Sequence, residues 1–77
     1  MNKARRNAIE KVIAILTDQK EELEALRDEE QEAYDNLPEG IQYSERGEAM
    51  EENINDMDTS VDELDYMIDR LQEMIER

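Results

Sequence analysis

Between Gly47 and Ile75 the apolar residues return at alternating intervals of three and four: Met50, Ile54, Met57, Val61, Leu64, Ile68, Leu71, Ile75. That rhythm is a coiled-coil seam. Its a positions hold Gly47, Ile54, Val61, Ile68 and Ile75, its d positions hold Met50, Met57, Leu64 and Leu71, and no charge interrupts it. An apolar seam of this regularity has to face another helix, so the rest of the chain is constrained to supply one.

The preceding segment can do so. From about residue 3 to about residue 35 it has no Pro or Gly and is rich in Ala, Glu, Leu, Lys and Arg, which favours helix. Ile9, Leu16, Leu23 and Leu37 fall on a with Glu30 as the charged exception, and Val12, Leu26 and Ala33 fall on d with the polar Arg5 and Gln19. The string Asn36-Leu37-Pro38-Glu39-Gly40 then stops the helix, because Pro38 disfavours helical geometry at Leu37 and suits the second position of a turn that Gly40 would close. Ser44 offers an N-cap hydroxyl, with Glu45 and Glu48 in the positive first turn of a second helix running to about residue 76. Ile41 and Tyr43, in the turn, are expected to plug the closed end.

The expected fold is therefore all-α: one domain over residues 1–77, an antiparallel two-helix coiled-coil hairpin with helices at about 3–35 and 44–76 and a turn at about 36–43. In the matching register Ala33 faces Gly47, Leu26 faces Ile54, Leu23 faces Met57, Leu16 faces Leu64, Val12 faces Ile68 and Ile9 faces Leu71, each layer joining an a to a d. Lys20 and Arg27 then lie near Asp65, Asp58 and Glu51, which selects this register over a slipped one. Gly47 opposite Ala33 permits close approach, at up to about 1 kcal/mol of helix propensity relative to Ala. Glu30 either fixes register or reaches out to water.

One flank of the hairpin is left over. Ala8 and Ile15 of the first helix lie beside Met67 and Met74 of the second, and two helices cannot cover them. Together with Tyr66, an aromatic on the outer face, these residues are the expected contact surface for a second copy, giving a homodimeric four-helix bundle, or for a partner protein.

Composition limits the chemistry. The chain has no Cys and no His, which removes disulfides, thiolate nucleophiles and the common zinc and haem ligand sets. Asp56-x-Asp58-x-Ser60-x-Asp62 resembles the start of a calcium loop, but Val61 and Met67 stand where glycine and glutamate are required. Paired carboxylates do acid–base work only in a pocket, and a hairpin has none. No enzyme, cofactor or metal site is expected.

The net charge is −14, from 23 acidic and nine basic residues. Direct nucleic-acid binding is thus not expected, since phosphate would be repelled. The acidic outer face of the second helix, Asp58, Asp62, Glu63, Asp69 and Glu73, is a candidate for meeting a basic protein surface, with one carboxylate per roughly 2 Å of rod approaching the charge density of duplex DNA. The basic start, Lys3 to Lys11, is expected to be neutralised by Asp69, Glu73 and Glu76. No apolar run reaches membrane-spanning length and the first residues lack a signal peptide's apolar stretch, so a cytoplasmic location away from membranes is expected.

The string EEQEAYDNLPEG from Glu29 to Gly40, followed by SERGEAMEE from Ser44 to Glu52, resembles a group of small uncharacterised proteins encoded by bacterial phages, prophages and mobile elements. The resemblance implies a small accessory protein, whose neighbours often include inhibitors of host defence, and it transfers no catalytic residue. The functional expectation is a protein-binding accessory factor, acting as an inhibitor or DNA mimic of a host defence or nucleic-acid enzyme through its acidic surface. The alternative is a structural or assembly module that joins copies of itself or neighbouring chains.

Overall fold

The computed structural model describes residues 1–77 and holds three helices: α1 over Lys3–Asp35, α2 over Glu39–Gln42 and α3 over Glu45–Glu76. α1 and α3 pack side by side as an antiparallel hairpin, forming a rod of 58 × 14 × 13 Å. The Asn2 side chain caps α1, accepting from the backbone N–H of Arg5 at 2.8 Å, which satisfies one of the donors a helix start leaves open.

The reversal is more regular than a simple turn. Pro38 leaves the helical region (φ −55°, ψ 144°) and precedes α2, a single helical turn. A side chain ties the end of α1 to the reversal: Gln42 Nε2 donates at 3.2 Å to the Tyr34 carbonyl, which also accepts from the Leu37 backbone N–H, and at 3.3 Å to the Leu37 carbonyl. Ser44 does not cap α3 with its hydroxyl. It turns back instead and donates to the Ile41 carbonyl. Ile41 and Tyr43 do not plug the end either; both are exposed, Tyr43 by 76%.

On α3 the seam faces inward as the spacing requires. Gly47, Ile54 and Ile68 are buried, and Met50, Met57, Val61, Leu64, Leu71 and Ile75 are half-buried. α1 departs from expectation. Its inward residues are Ile9, Leu16, Leu23 and Glu30 together with Arg6, Ile13, Lys20, Arg27 and Tyr34, all half-buried as is Leu37 just beyond its end, while Arg5, Val12, Gln19, Leu26 and Ala33 lie exposed. In heptad terms α1 packs through a and e rather than a and d, a rotation of about 50° at ~100° per residue. Val12 and Leu26 therefore do not form layers with Ile68 and Ile54.

The cause of the rotation is on the e side. Lys20 reaches Asp65 at 2.5 Å, Arg27 reaches Asp58, and the Tyr34 hydroxyl donates to Glu51. These rungs recur every seven residues on both helices. Long e side chains cover the seam with their stems while their tips pair at the edge, whereas two of the five d positions are the polar Arg5 and Gln19 and a third is the small Ala33.

Gly47 has a different role from the one its heptad position suggests. A Cβ there would lie 2.1 Å from the Gln42 carbonyl oxygen and 2.7 Å from that of Ile41, so the close neighbour is the α2 backbone and not Ala33. Gly40 has open space around it and no positive φ. Gly47→Ala should therefore destabilise the hairpin by about 1–3 kcal/mol, as overpacking does, despite alanine's better helix propensity. Gly40→Ala should stabilise it by about 0.5–1 kcal/mol. Urea unfolding followed by circular dichroism checks both; equal behaviour of the two variants would refute the backbone contact at Gly47.

Candidate functional site

Two surfaces are available for binding. The first is the flank of the hairpin opposite the rungs. Here Asn53 Nδ2 donates to Glu30 at 3.1 Å, which gives the one acidic residue of the α1 seam a hydrogen-bond donor. Ala8, Ile15 and Met67 are exposed on this side and Met74 is half-buried, so the expected apolar flank exists. The rotation of α1 enlarges it. Val12 (46% exposed) and Leu26 (48%) join Ile15 (61%) on the outside, along with Ala33.

Sequence reasoning placed Val12, Leu26 and Ala33 in the seam and left Ile13 out. The signal was available, because Ile9, Ile13 and Leu16 also follow a four-then-three spacing. Two seams overlap on this helix, and spacing alone does not rank them.

The second surface is the outer face of α3. Asp62, Glu63, Asp69 and Glu73 are exposed there. Tyr66 belongs to this face rather than to the apolar flank: it shares one shallow depression with Thr59, Asp62, Glu63, Met67 and Arg70 and another with Asp69, Arg70 and Glu73. Arg70, which the sequence did not single out, lies over the Tyr66 ring at 5.2 Å from its centroid, a cation–π distance. Both depressions are furrows between side chains of one helix, so neither encloses a small molecule. Asp58 departs from the free acidic face because Arg27 occupies it.

The basic start of α1 is not neutralised as expected. The ion pairs of the hairpin are Lys20 with Glu24 and Asp65, and Arg27 with Asp28 and Asp58. Lys3, Arg5, Arg6 and Lys11 take part in none, and Arg6 Nε is buried without an acceptor. No three acidic side chains converge as a metal-holding group, and no helix is long and apolar enough to cross a membrane.

The rungs shift the titration of their members. The hydrogen bond to Asp65 outweighs partial desolvation and raises the Lys20 pKa, and the hydrogen bond to Asp58 raises that of Arg27. The Tyr34 phenol is pushed up to about 12, first by its hydrogen bond to Glu51, then by desolvation and the Glu51 charge.

The geometry defines an antiparallel helical hairpin with an apolar flank and an acidic outer face. No protein-family model, curated protein or solved structure matches the chain.

Because the folded Tyr34 pKa lies above the usual value of about 10, the neutral phenol's stabilisation is fully present below pH ~10 and is lost as pH rises toward ~12. Phenolate absorbance against pH should show one tyrosine titrating near 12, and Tyr34→Phe should remove that phase. A titration curve unchanged by the substitution would refute the Tyr34–Glu51 rung.

Proposed function

We propose that this chain is a non-enzymatic protein-binding module that occupies a basic surface of another protein with the acidic outer face of α3. The observation that carries this reading is unpaired charge. Only Glu24, Asp28, Asp58 and Asp65 stand within ion-pairing distance of a cation, leaving 19 of 23 acidic residues without one. A net charge of −14 along 58 Å is one charge per about 4 Å, near the ~3.4 Å of a single nucleic-acid strand. A narrow rod of that density is drawn to cationic clefts and accelerates its own encounter with them. Blocking a nucleic-acid enzyme or host defence protein suits such a surface.

A second reading, an assembly module that joins copies or neighbouring chains, is favoured by the exposed apolar stripe of α1.

The test of the first reading is affinity capture with the native chain beside one carrying Asp62→Lys, Asp69→Lys and Glu73→Lys together. The native chain should retain proteins that excess duplex DNA releases, and the triple variant, equally helical, should retain at least about tenfold less, a loss of 1.4 kcal/mol or more. Equal capture by the two chains, or none by either, would sink the proposal.

A further inference from the structure

The outer side of α1 carries a second stripe at heptad spacing, apolar at five of its eight positions. Ala8, Val12, Ile15, Gln19, Glu22, Leu26, Glu29 and Ala33 follow one another at intervals of four and three, and all are exposed. At ~100° per residue this stripe sits about 110° around the helix from the a/e seam that faces α3. A helix with two seams set apart by roughly a right angle is a corner helix of a four-helix bundle, where each helix meets two neighbours. One hairpin supplies only one of those neighbours.

We infer that the second neighbour is α1 of another copy of this chain, packed antiparallel on the outer stripe. The inference deepens the assembly reading above and is independent of the acidic face of α3, which it leaves uncovered.

Charge selects the occupant and the direction. Arg5 and Lys11, at one end of the stripe, have no carboxylate within ion-pairing distance in their own hairpin, and neither Glu29 nor Glu32, at the other end, has a cation. Antiparallel pairing brings Lys11 of each copy level with Glu30 of the other and within a turn of Glu29 and Glu32, and sets Arg5 about one turn from Glu32, whereas parallel pairing stacks like charge on like. The same alignment sets Ala8 opposite Ala33, Val12 opposite Glu29, Ile15 opposite Leu26, and Gln19 opposite Glu22. Small residues at both ends let the helices approach, and Ile15 and Leu26, the two largest apolar side chains of the stripe, meet between them.

The contact area is modest. The stripe runs about 37 Å from Ala8 to Ala33 and is roughly 10 Å wide, so two facing stripes remove on the order of 750 Å² from water, the size of a weak interface. A lone hairpin has in addition a thin core: Ile54 and Ile68 are its only buried large apolar side chains, each still 7% exposed. Chains of this size commonly gain their remaining stability by association.

The test combines mass and cross-linking. Sedimentation equilibrium should give a dimer, and Ile15→Glu and Leu26→Glu should each weaken it tenfold or more while leaving the circular dichroism of the hairpin unchanged, since both residues are exposed within it. The chain has no cysteine, so introduced thiols report unambiguously. Under oxidation Ala8→Cys mixed with Ala33→Cys should form a disulfide-linked pair containing one of each. Neither variant alone should cross-link, because like positions lie about 37 Å apart in this pairing.

Cross-linking of Ala8→Cys to itself would mean parallel packing, and its cross-linking to Met74→Cys would mean α1 on α3 of the second copy. Either overturns the geometry while leaving assembly standing. A monomer at all concentrations overturns both and would leave the stripe to a different protein.

Discussion

The three rungs Lys20 with Asp65, Arg27 with Asp58, and Tyr34 with Glu51 decide how the rest of this molecule is arranged. Individually such exposed contacts add little to stability. Their effect is rotational: spaced by one heptad on each helix, they hold α1 turned toward its e side along half its length. Every later feature follows from that angle, including which α1 residues reach α3 and which are turned outward.

The main consequence is that α1 carries apolar residues on two faces. Ile9, Ile13, Leu16 and Leu23 are turned toward α3, while Val12, Ile15 and Leu26 face away. A monomeric hairpin has no use for the second set, because exposed apolar side chains in register gain nothing from water. In a bundle of two hairpins the same residues would complete the core, and the unpaired cations at the start of α1 would find carboxylates at the end of a neighbouring α1.

The acidic surface and the proposed dimer bear on one another. A single hairpin carries net charge at about the density of one nucleic-acid strand. Two hairpins overlapping along the same 58 Å, each at −14, reach one charge per about 2 Å, close to the ~1.7 Å of the duplex. A DNA-like charge density would then belong to the assembly and not to the chain. Apart from Glu22 and Glu29, which lie in the proposed interface, the like charge that such an assembly concentrates sits on the outer faces, where water and counterions screen it.

The sequence by itself determined the two long helices, their direction and the axial alignment of Lys20 and Arg27 with Asp65 and Asp58. Proline at 38 ends one helix, the seam from Gly47 to Ile75 demands a facing partner, and the opposite charges at 20, 27, 58 and 65 admit one alignment. The exposure of Ala8, Ile15 and Met67 was equally legible, because heptad position fixes which side of a helix a residue occupies. Only the tertiary structure decided the rotation of α1, the return of Ser44 to the Ile41 carbonyl, and the real neighbour of Gly47. The reason is physical. Along α1 the residues at e and at d form stripes of comparable apolar content, so spacing leaves them nearly equivalent. The choice between them rests on edge contacts made across 17 to 45 residues of chain, which no local pattern records.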